Sequence, residues 1–256
     1  MLVADNAMAR STRGEGAAEP VEYYVAVPGI PGTALALLAG RGAILAHRRF
    51  RGHPGYARWH DGSMAKVMLR AASEELVALA RAHDGLALPE EPDVPRLAVF
   101  RPRPKDRAQF LAHLKLYSGR VAWSTRAEWP QSDLHVPVLL NGELDLSAGK
   151  LAAQVAHAVL VLQEAWGTLA VWADWLATGT PLALLKAPER LLVRLVEEGR
   201  AWGVQDEGRT EIAAGSLTAA ATPPGTLDAW RAEPEMALLA HDVWRPVAAK
   251  ELPRPS

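Results

Sequence analysis

Hydrophobic and polar positions in the first half of the chain form alternating strand-like and helix-like segments. β-Branched and aromatic residues between turn signals predict strands, whereas apolar residues that recur every three or four positions predict helices. The predicted strands are 21–27, 65–70 and 95–102, and the predicted helices are 33–45, 73–83 and 107–116. The segment 47–62 is polar and basic, which predicts an irregular connection.

The second half repeats this order of elements. Its predicted strands are 136–140, 180–186 and 217–222. Its predicted helices are one that starts at Ser147, breaks at Gly167 and resumes as far as Ala177, one that starts at Pro188, and a closing helix at 226–241. Alternating strands and helices of this kind predict an α/β fold.

The two halves also resemble each other directly. Residues 59–77 read WHDGSMAKVMLRAASEELV and residues 175–193 read WLATGTPLALLKAPERLLV, and the strand segments 23–27 and 136–140 begin 36 and 39 residues before the two tryptophans. Such spacing predicts an internal repeat of two tandem units, each a small mixed β-sheet flanked by helices. The alternative is that both halves merely follow the common alternation of strand and helix.

Composition narrows the class of protein. The 256 residues are 49% hydrophobic and 22% charged, which is typical of a water-soluble globular chain. There is no cysteine, so disulfide scaffolds, thiolate zinc sites and cysteine nucleophiles are excluded. The N-terminal stretch shows no signal peptide, and Pro and Gly interrupt the longest uncharged run, so we expect a cytoplasmic protein with no membrane segment.

Charge is distributed unevenly between the halves. Residues 1–130 carry 18 Lys and Arg against 13 Asp and Glu, a net charge of +5. Residues 131–256 carry 10 against 16, a net charge of −6. A partner that is itself a polyanion would therefore be attracted by the first half and repelled by the second.

Two polar segments in the second half are candidates for chemistry. Lys150, Gln154 and His157 recur at i, i+4 and i+7, so one stripe of a helix presents an ammonium, an amide and an imidazole. The second segment, 206–218, places acids, an arginine and hydroxyls in a loop between a helix and a strand. A solvated lysine with a hydrogen-bonded histidine, and an ordinary polar turn, are the structural alternatives.

The order of these motifs resembles that of the type-2 peptidyl-tRNA hydrolase family. The resemblance covers residues 135–230 and rests on Gly149-Lys150, Ala152-Ala153-Gln154, His157-Ala158, Asp206-Glu207-Gly208-Arg209-Thr210 and Gly215-Ser216-Leu217-Thr218. It implies a small sandwich with a four-stranded mixed sheet flanked by helices, and hydrolysis of the ester bond in peptidyl-tRNA. The predicted fold is thus α/β, built from two tandem peptidyl-tRNA-hydrolase-like units.

The resemblance also implies roles for individual residues. Lys150, Asp206 and Thr210 fall on the functional positions of the family and are the candidate catalytic residues. The other matching positions are candidate substrate-binding residues: Gly149, Gln154, His157, Arg209 and Thr218. His157 has a structural role as an equal alternative. No metal or cofactor is implied. If Lys150 and Asp206 share a site, we expect their charged groups within about 6 Å of each other.

The chain departs from the family pattern in ways that bear on RNA binding. Asn141-Gly142-Glu143 replaces Arg-Thr-Asp, Ala148 replaces a lysine, and Glu207 adds a carboxylate. The first half carries Thr33, Leu37 and Gly40 in place of Lys150, Gln154 and His157, so we interpret it as a degenerate copy. It has an arginine cluster instead, Arg48, Arg49 and Arg51, close to Phe50, Tyr56 and Trp59, with a second basic stretch at 101–107. We expect this cluster to bind RNA phosphates and the aromatic residues to stack on bases; a solvated basic surface is the alternative.

The predicted organisation is an arm at 1–20, a degenerate unit at 21–120, a linker at 121–134, a hydrolase-like unit at 135–245 and a tail at 246–256. The predicted function is hydrolysis of peptidyl-tRNA to tRNA and peptide. Two alternatives stay open: an RNA-binding protein without turnover, and a hydrolase of a different acyl ester. The expected partner is peptidyl-tRNA. The oligomeric state is open, and a monomer whose halves pack as a pseudo-dimer fits the repeat.

Overall fold

The fold was obtained as a computed structural model, which describes residues 19–89, 95–121, 123, 127–131, 134–206 and 212–242. The elements of the first half are β1 (Pro20–Ala26), α1 (Gly32–Phe50), α2 (Pro54–His60), β2 (Lys66–Arg70), α3 (Ser73–Ala82), β3 (Leu86–Leu88), β4 (Leu97–Pro104), a 3-10 helix (Lys105–Leu111) and β5 (Lys115–Leu116). The strands form one sheet in the order β3-β4-β1-β2-β5. Only β1 and β2 are parallel; the other neighbours are antiparallel.

The second half builds another five-stranded mixed sheet. Its elements are β6 (Val136–Asn141), α4 (Ala148–Trp166), α5 (Ala170–Ala177), β7 (Leu182–Ala187), α6 (Glu189–Glu197), β8 (Trp202–Gln205), β9 (Leu217–Ala221), α7 (Leu227–Arg231) and β10 (Ala237–His241). The strands lie in the order β10-β7-β6-β9-β8, and only β6 and β7 are parallel. When each half is numbered from its own first strand, the two orders and the directions of all pairings coincide.

Helices α1 and α4 lie between the two sheets. The apolar residues of both helices join the inward faces of both sheets in one core, while α3 with the 3-10 helix and α6 with α7 cover the outer faces in two smaller cores. The predicted α/β class is therefore confirmed. No helix within the described ranges combines the length and the apolar character needed to cross a bilayer.

The start of α4 is set by a local signal in the sequence. Ser147 is the N-cap, and its Oγ accepts a hydrogen bond from the backbone N–H of Lys150 at 3.3 Å. The helix ends at Trp166, and Gly167, where the sequence predicts the break, is its C-cap. Lys150 consequently lies in the first helical turn, and Gln154 and His157 lie one and two turns further along the same side.

Three parts of the predicted secondary structure were wrong. The segment 47–62 contains the end of α1 and the whole of α2, whose Pro54 occupies the first helical position after the N-cap His53. The predicted closing helix 226–241 is divided into α7 and β10, because β10 pairs with the edge of β7 that β6 leaves open. The 107–116 segment holds a 3-10 helix and β5 instead of an α-helix.

Gly149 provides a test of how closely α4 approaches the first half. A methyl group on Gly149 would collide with the carbonyl oxygen of Tyr117, next to β5. Alanine normally stabilises a helix relative to glycine, whereas overpacking against backbone costs about 1–3 kcal/mol. We therefore expect Gly149→Ala to lower the free energy of unfolding by about that amount in urea titrations. Gly52→Ala is the control, because that position is exposed and nothing lies within 4 Å of the added methyl. Unchanged or increased stability in Gly149→Ala would contradict the close approach.

Candidate functional site

An open cleft of about 630 Å³ lies between the two halves. The second half contributes the start of α4 and the end of β8, including Lys150, Gln154, His157 and Asp206. The first half contributes the opposite wall, residues 62–68 and 116–117. The sequence-predicted residues that the structure describes on α4 and β8 are thus collected at one surface, and that surface faces the other half of the chain.

Lys150 and Asp206 form an ion pair at the centre of this cleft. The ammonium of Lys150 contacts Oδ2 of Asp206, although the two residues are 56 positions apart in the sequence. The Asp206 side chain is only 1% exposed, and that of Lys150 is 15% exposed. The prediction that these two groups lie close together is confirmed. Removing one partner would leave a nearly buried charge without its counter-ion.

Gln154, supported by Thr218, contacts the same carboxylate oxygen of Asp206 as Lys150 does. The Nε2 amide of Gln154 donates to Oδ2 of Asp206 at 3.0 Å, and the Thr218 hydroxyl donates to Oε1 of Gln154 at 2.9 Å. The same hydroxyl lies 3.1 Å from the carbonyl oxygen of Val204, on β8. Both Gln154 and Thr218 are buried. Because Thr218 occupies the amide oxygen of Gln154, the amide N–H₂ is directed at the carboxylate.

His157 meets a cation from the first half of the chain. Its Nδ1 lies 3.3 Å from the ammonium of Lys66, which is on β2. That ammonium also donates to the carbonyl oxygen of Met64 at 3.2 Å and lies 4.6 Å from the centre of the Trp59 ring. Burial, and then the positive charges of Lys66 and Lys150, keep the pKa of His157 well below its usual range. The imidazole is therefore neutral at physiological pH.

Glu22 is the buried carboxyl group next to this cation. It is the register partner of Lys66 across the parallel pair β1 and β2, and it accepts a hydrogen bond from the Tyr24 hydroxyl at 2.7 Å. Burial raises the pKa of Glu22 from 4.5 to about 7, although Lys66 and the hydrogen bond from Tyr24 oppose this shift. Burial also lowers the pKa of Lys66 from 10.5 to about 8, against the negative charges of Glu22 and Glu164.

Neither Glu22 nor Lys66 was predicted from the sequence motifs as a residue of the site. Glu22 is the one charged residue of the predicted strand 21–27, and Lys66 is one of two charged residues in the predicted strand 65–70, the other being Arg70 at its end; these interruptions were the available signal. Their pairing depends on the parallel register of β1 and β2, which the strand pattern alone does not specify.

The loop that follows Asp206 is described only at its two ends. Thr210 and Arg209 lie outside the described residues, as does Glu207. At the ends of the loop, the N–H of Asp206 donates to the carbonyl oxygen of Ser216 at 2.9 Å, and the N–H of Gly215 donates to that of Asp206 at 2.7 Å. Asp206 is therefore fixed by backbone as well as side-chain contacts.

The predicted basic cluster lies away from the cleft, at the end of α1. Arg49 and Arg51 are exposed, Arg48 is half-buried, and Arg49 pairs with Asp84. The expectation that neighbouring aromatic rings stack on bases was wrong. The three rings belong to the core instead and are all below 5% exposed: Phe50, Tyr56 and Trp59. In the second basic stretch, Arg103 lies over the ring of Phe110 at 5.0 Å.

Within the described part of the chain, no three His, Cys, Asp or Glu side chains are grouped so that they could hold a metal ion. The chemical groups that the cleft offers are therefore an ammonium–carboxylate pair, a buried amide and a neutral imidazole next to a second ammonium.

The family model for peptidyl-tRNA hydrolase PTH2 matches residues 134–231, which include Lys150, Gln154, His157, Asp206 and Thr218. A peptidyl-tRNA hydrolase of Metallosphaera sedula is 34% identical over 102 residues, which are 36% of this chain and 86% of the relative. The chain belongs to the PTH2 family. The match covers the second half only.

Other peptidyl-tRNA hydrolases are similar to an equal share of the chain. A peptidyl-tRNA hydrolase of Sulfolobus acidocaldarius is 36% identical over 105 residues, which are 36% of this chain and 88% of the relative. Peptidyl-tRNA hydrolase 2, mitochondrial, of Bos taurus is 33% identical over 99 residues, and the chain spans 55% of its length.

One departure from the PTH2 pattern has a structural role in this chain. Asn141, which replaces the arginine, is fully buried; its amide donates to the carbonyl oxygen of Leu217 at 2.9 Å, and its Oδ1 accepts from the N–H of Glu143. The position therefore ties the end of β6 to the start of β9. It cannot supply a charge to the cleft.

Glu22 gives a pH-dependent test of the buried pair behind the site. Because its pKa is higher in the folded than in the unfolded state, its contribution favours folding at low pH and is lost as pH rises towards about 7. We subtract the free energy of unfolding of Glu22→Gln from that of the wild type at each pH. This difference should fall by about 2 kcal/mol between about pH 5 and pH 7. The subtraction removes the opposite dependence of His47 and His157, whose pKa values are lowered. Urea titrations at each pH measure the difference, with the exposed Glu74→Gln as control. Parallel curves for wild type and Glu22→Gln would contradict the raised pKa.

Proposed function

We propose that this protein hydrolyses the ester bond of peptidyl-tRNA. Water adds to the ester carbonyl, the bond between the carbonyl carbon and the ribose oxygen breaks, and the products are a peptide carboxylate and a tRNA with a free ribose hydroxyl. The single observation that carries the proposal is the contact of Lys150 with Asp206 in a cleft, within a segment that belongs to the PTH2 family.

In this proposal Asp206 orients and deprotonates the attacking water. A carboxylate is a suitable base only if it is ionised and held still. The Lys150 ammonium stabilises its charge, and the amide of Gln154, itself held by Thr218, limits its rotation. Thr218 thus acts on Asp206 through Gln154, so its part in substrate binding is indirect, whereas Gly149 lines the cleft itself.

Lys150 has two candidate tasks. It stabilises the negative charge that develops on the carbonyl oxygen, or it tunes Asp206. Its contact with Asp206 favours the second task in the free protein, and substrate could draw the ammonium towards the oxyanion. We assign Thr210 to the positioning of water or ribose and Arg209 to a phosphate, on the strength of the family motif alone.

We further propose that the two halves are tandem copies of one hydrolase-like unit. The identical strand orders and pairing directions of the two sheets support this origin, together with the sequence repeat. The units would be 21–120 and 135–245, with an arm at 1–20, a linker at 121–134 and a tail at 246–256. Thr33 stands in place of Lys150 in the first unit, which would therefore have no catalytic site of its own.

The first unit would instead attract the RNA. The second half has a net charge of −6, whereas the first has +5 and carries Arg48, Arg49 and Arg51 near the end of α1. Phosphate contacts by such side chains supply most of the sequence-independent affinity for RNA. We expect this reaction in the cytoplasm, with translation as its setting.

One observation favours a second candidate function, namely RNA binding without turnover. A buried asparagine, Asn141, and an alanine, Ala148, occupy positions where the family has cations. Hydrolysis of a different acyl ester is a third possibility that the same assay separates. Release of peptide from peptidyl-tRNA distinguishes the proposed enzyme from a binding protein, and a simple ester substrate distinguishes the two hydrolases.

Asp206→Asn tests the assignment of the base. An amide cannot accept the proton from water, so we expect turnover of peptidyl-tRNA to fall by at least about 100-fold, the usual scale for a general base. Single-turnover release of labelled peptide measures it. Circular dichroism checks folding, and the exposed Asp228→Asn on α7 is the control of the same chemistry outside the cleft. Lys150→Ala should also be impaired. Wild-type rates in Asp206→Asn would place the base elsewhere, and no turnover by the wild type would favour the binding protein.

The arginine cluster is tested by the salt dependence of tRNA binding. Replacing Arg48, Arg49 and Arg51 together by Ala should weaken binding and flatten the plot of log K against log salt by about 1–3 units, because each lost phosphate contact contributes roughly 0.7–0.9. The rate at saturation should change little. The control removes three exposed arginines of α6 and the loop that follows it, Arg190, Arg194 and Arg200. If both triple variants have the wild-type slope, the cluster is only a solvated surface.

A further inference from the structure

Among the described residues of the first half that line the cleft, one is charged, Lys66. Lys66 lies on β2, and its ammonium is held by the carbonyl oxygen of Met64 at 3.2 Å and by the face of Trp59 at 4.6 Å. The ammonium also contacts Nδ1 of His157 at 3.3 Å, across the boundary between the halves, and Glu22 is the register partner of Lys66 on β1. Both Lys66 and His157 line the cleft that contains Lys150 and Asp206.

This contact determines where the imidazole carries its proton. An ammonium group can only donate hydrogen bonds, so Nδ1 of His157 must be the acceptor. In a neutral imidazole whose Nδ1 accepts, the single proton is on Nε2. The ring therefore offers an N–H donor at Nε2 and has no free acceptor.

We propose that Lys66 is a positioning residue for the site of the second half, acting through His157. By fixing the Nε2–H tautomer, it presents a neutral hydrogen-bond donor to an oxygen atom of the bound ester or ribose. This inference rests on the proposed function for its substrate, but the tautomer itself is a property of the free protein.

The surroundings of Lys66 hold its ammonium in place for this task. The ammonium is placed by a backbone carbonyl and an aromatic face that is itself anchored, since Nε1 of Trp59 donates to the carbonyl oxygen of Ala65 at 2.9 Å. A protonated His157 would add a third positive charge next to Lys66 and Lys150, whereas a neutral donor avoids that repulsion. His157 thereby becomes a substrate contact whose orientation comes from the degenerate half.

The first test is the tautomer of the wild-type protein. Nitrogen-15 spectra of the histidine rings distinguish the protonated from the unprotonated ring nitrogen, and His157→Gln assigns the His157 signals. We expect the proton on Nε2 at neutral pH. A proton on Nδ1, or a mixture of both tautomers, would overturn the proposal without any Lys66 variant or any enzyme assay.

The second test uses substitutions of Lys66. In Lys66→Met we expect the tautomers of His157 to mix and kcat for peptidyl-tRNA to fall about tenfold, the scale of one ordinary hydrogen bond, with KM within about twofold. Lys66→Arg, which keeps a cationic donor, should restore most of kcat. Lys115→Met is the control, because Lys115 is exposed on β5 and lies outside the cleft.

A double-mutant cycle separates action through His157 from a general loss of structure. In a His157→Gln background, Lys66→Met should have no further effect on kcat. Additive losses would overturn the proposal, as would wild-type kcat in Lys66→Met. If the wild type shows no turnover, the proposed function fails, while the tautomer measurement still decides the role of Lys66.

Discussion

The close packing of α1 and α4 between the two sheets is the constraint on which the rest of the structure depends. A methyl group on Gly40 of α1 would lie 2.6 Å from Leu182 of the second sheet and 3.0 Å from Val155 of α4, whereas one on Gly42 would lie 2.9 Å from Val99 of the first sheet. The absence of a side chain at these glycines therefore lets α1 approach both sheets. This arrangement brings β2 of the first half opposite the start of α4, and the cleft forms at that point.

The hydrophobic pattern was sufficient to predict the long helices and strands. It was insufficient for short segments whose conformation depends on pairing with a strand that is remote in sequence. Ser147, Gly167 and the apolar rhythm of α4 are local signals, and the helix begins and ends where they predict. β10 has no comparable signal, because its strand conformation depends on pairing with β7, which is remote in sequence. The same holds for the short strands β3 and β8, each completed by an antiparallel neighbour.

The residues of the candidate site that lie on one helix or in one loop could be predicted from the sequence. The spacing of Lys150, Gln154 and His157 places them on one side of α4 whatever the remaining fold is. Glu22 and Lys66 were beyond that reasoning, since they approach the site through sheet register and the packing of the halves. The prediction that the aromatic residues next to the arginine cluster stack on RNA bases was wrong for a related reason. Composition gave no indication that Phe50, Tyr56 and Trp59 turn towards the core.

Placing α1 and α4 in a single polypeptide has consequences for how such a protein can change. Two separate copies that bury a helix against each other must associate, and their pairing weakens on dilution; a tethered pair does not. In a symmetric dimer every substitution is present in both subunits, so a residue that is favourable in one subunit must also be tolerated at the same position of the other. A covalently joined pair escapes that duplication. If the halves are tandem copies, as we propose, one of them was free to carry Thr33 in place of a lysine and to carry Glu22 and Lys66. Divergence of the halves is then a form of specialisation within one molecule.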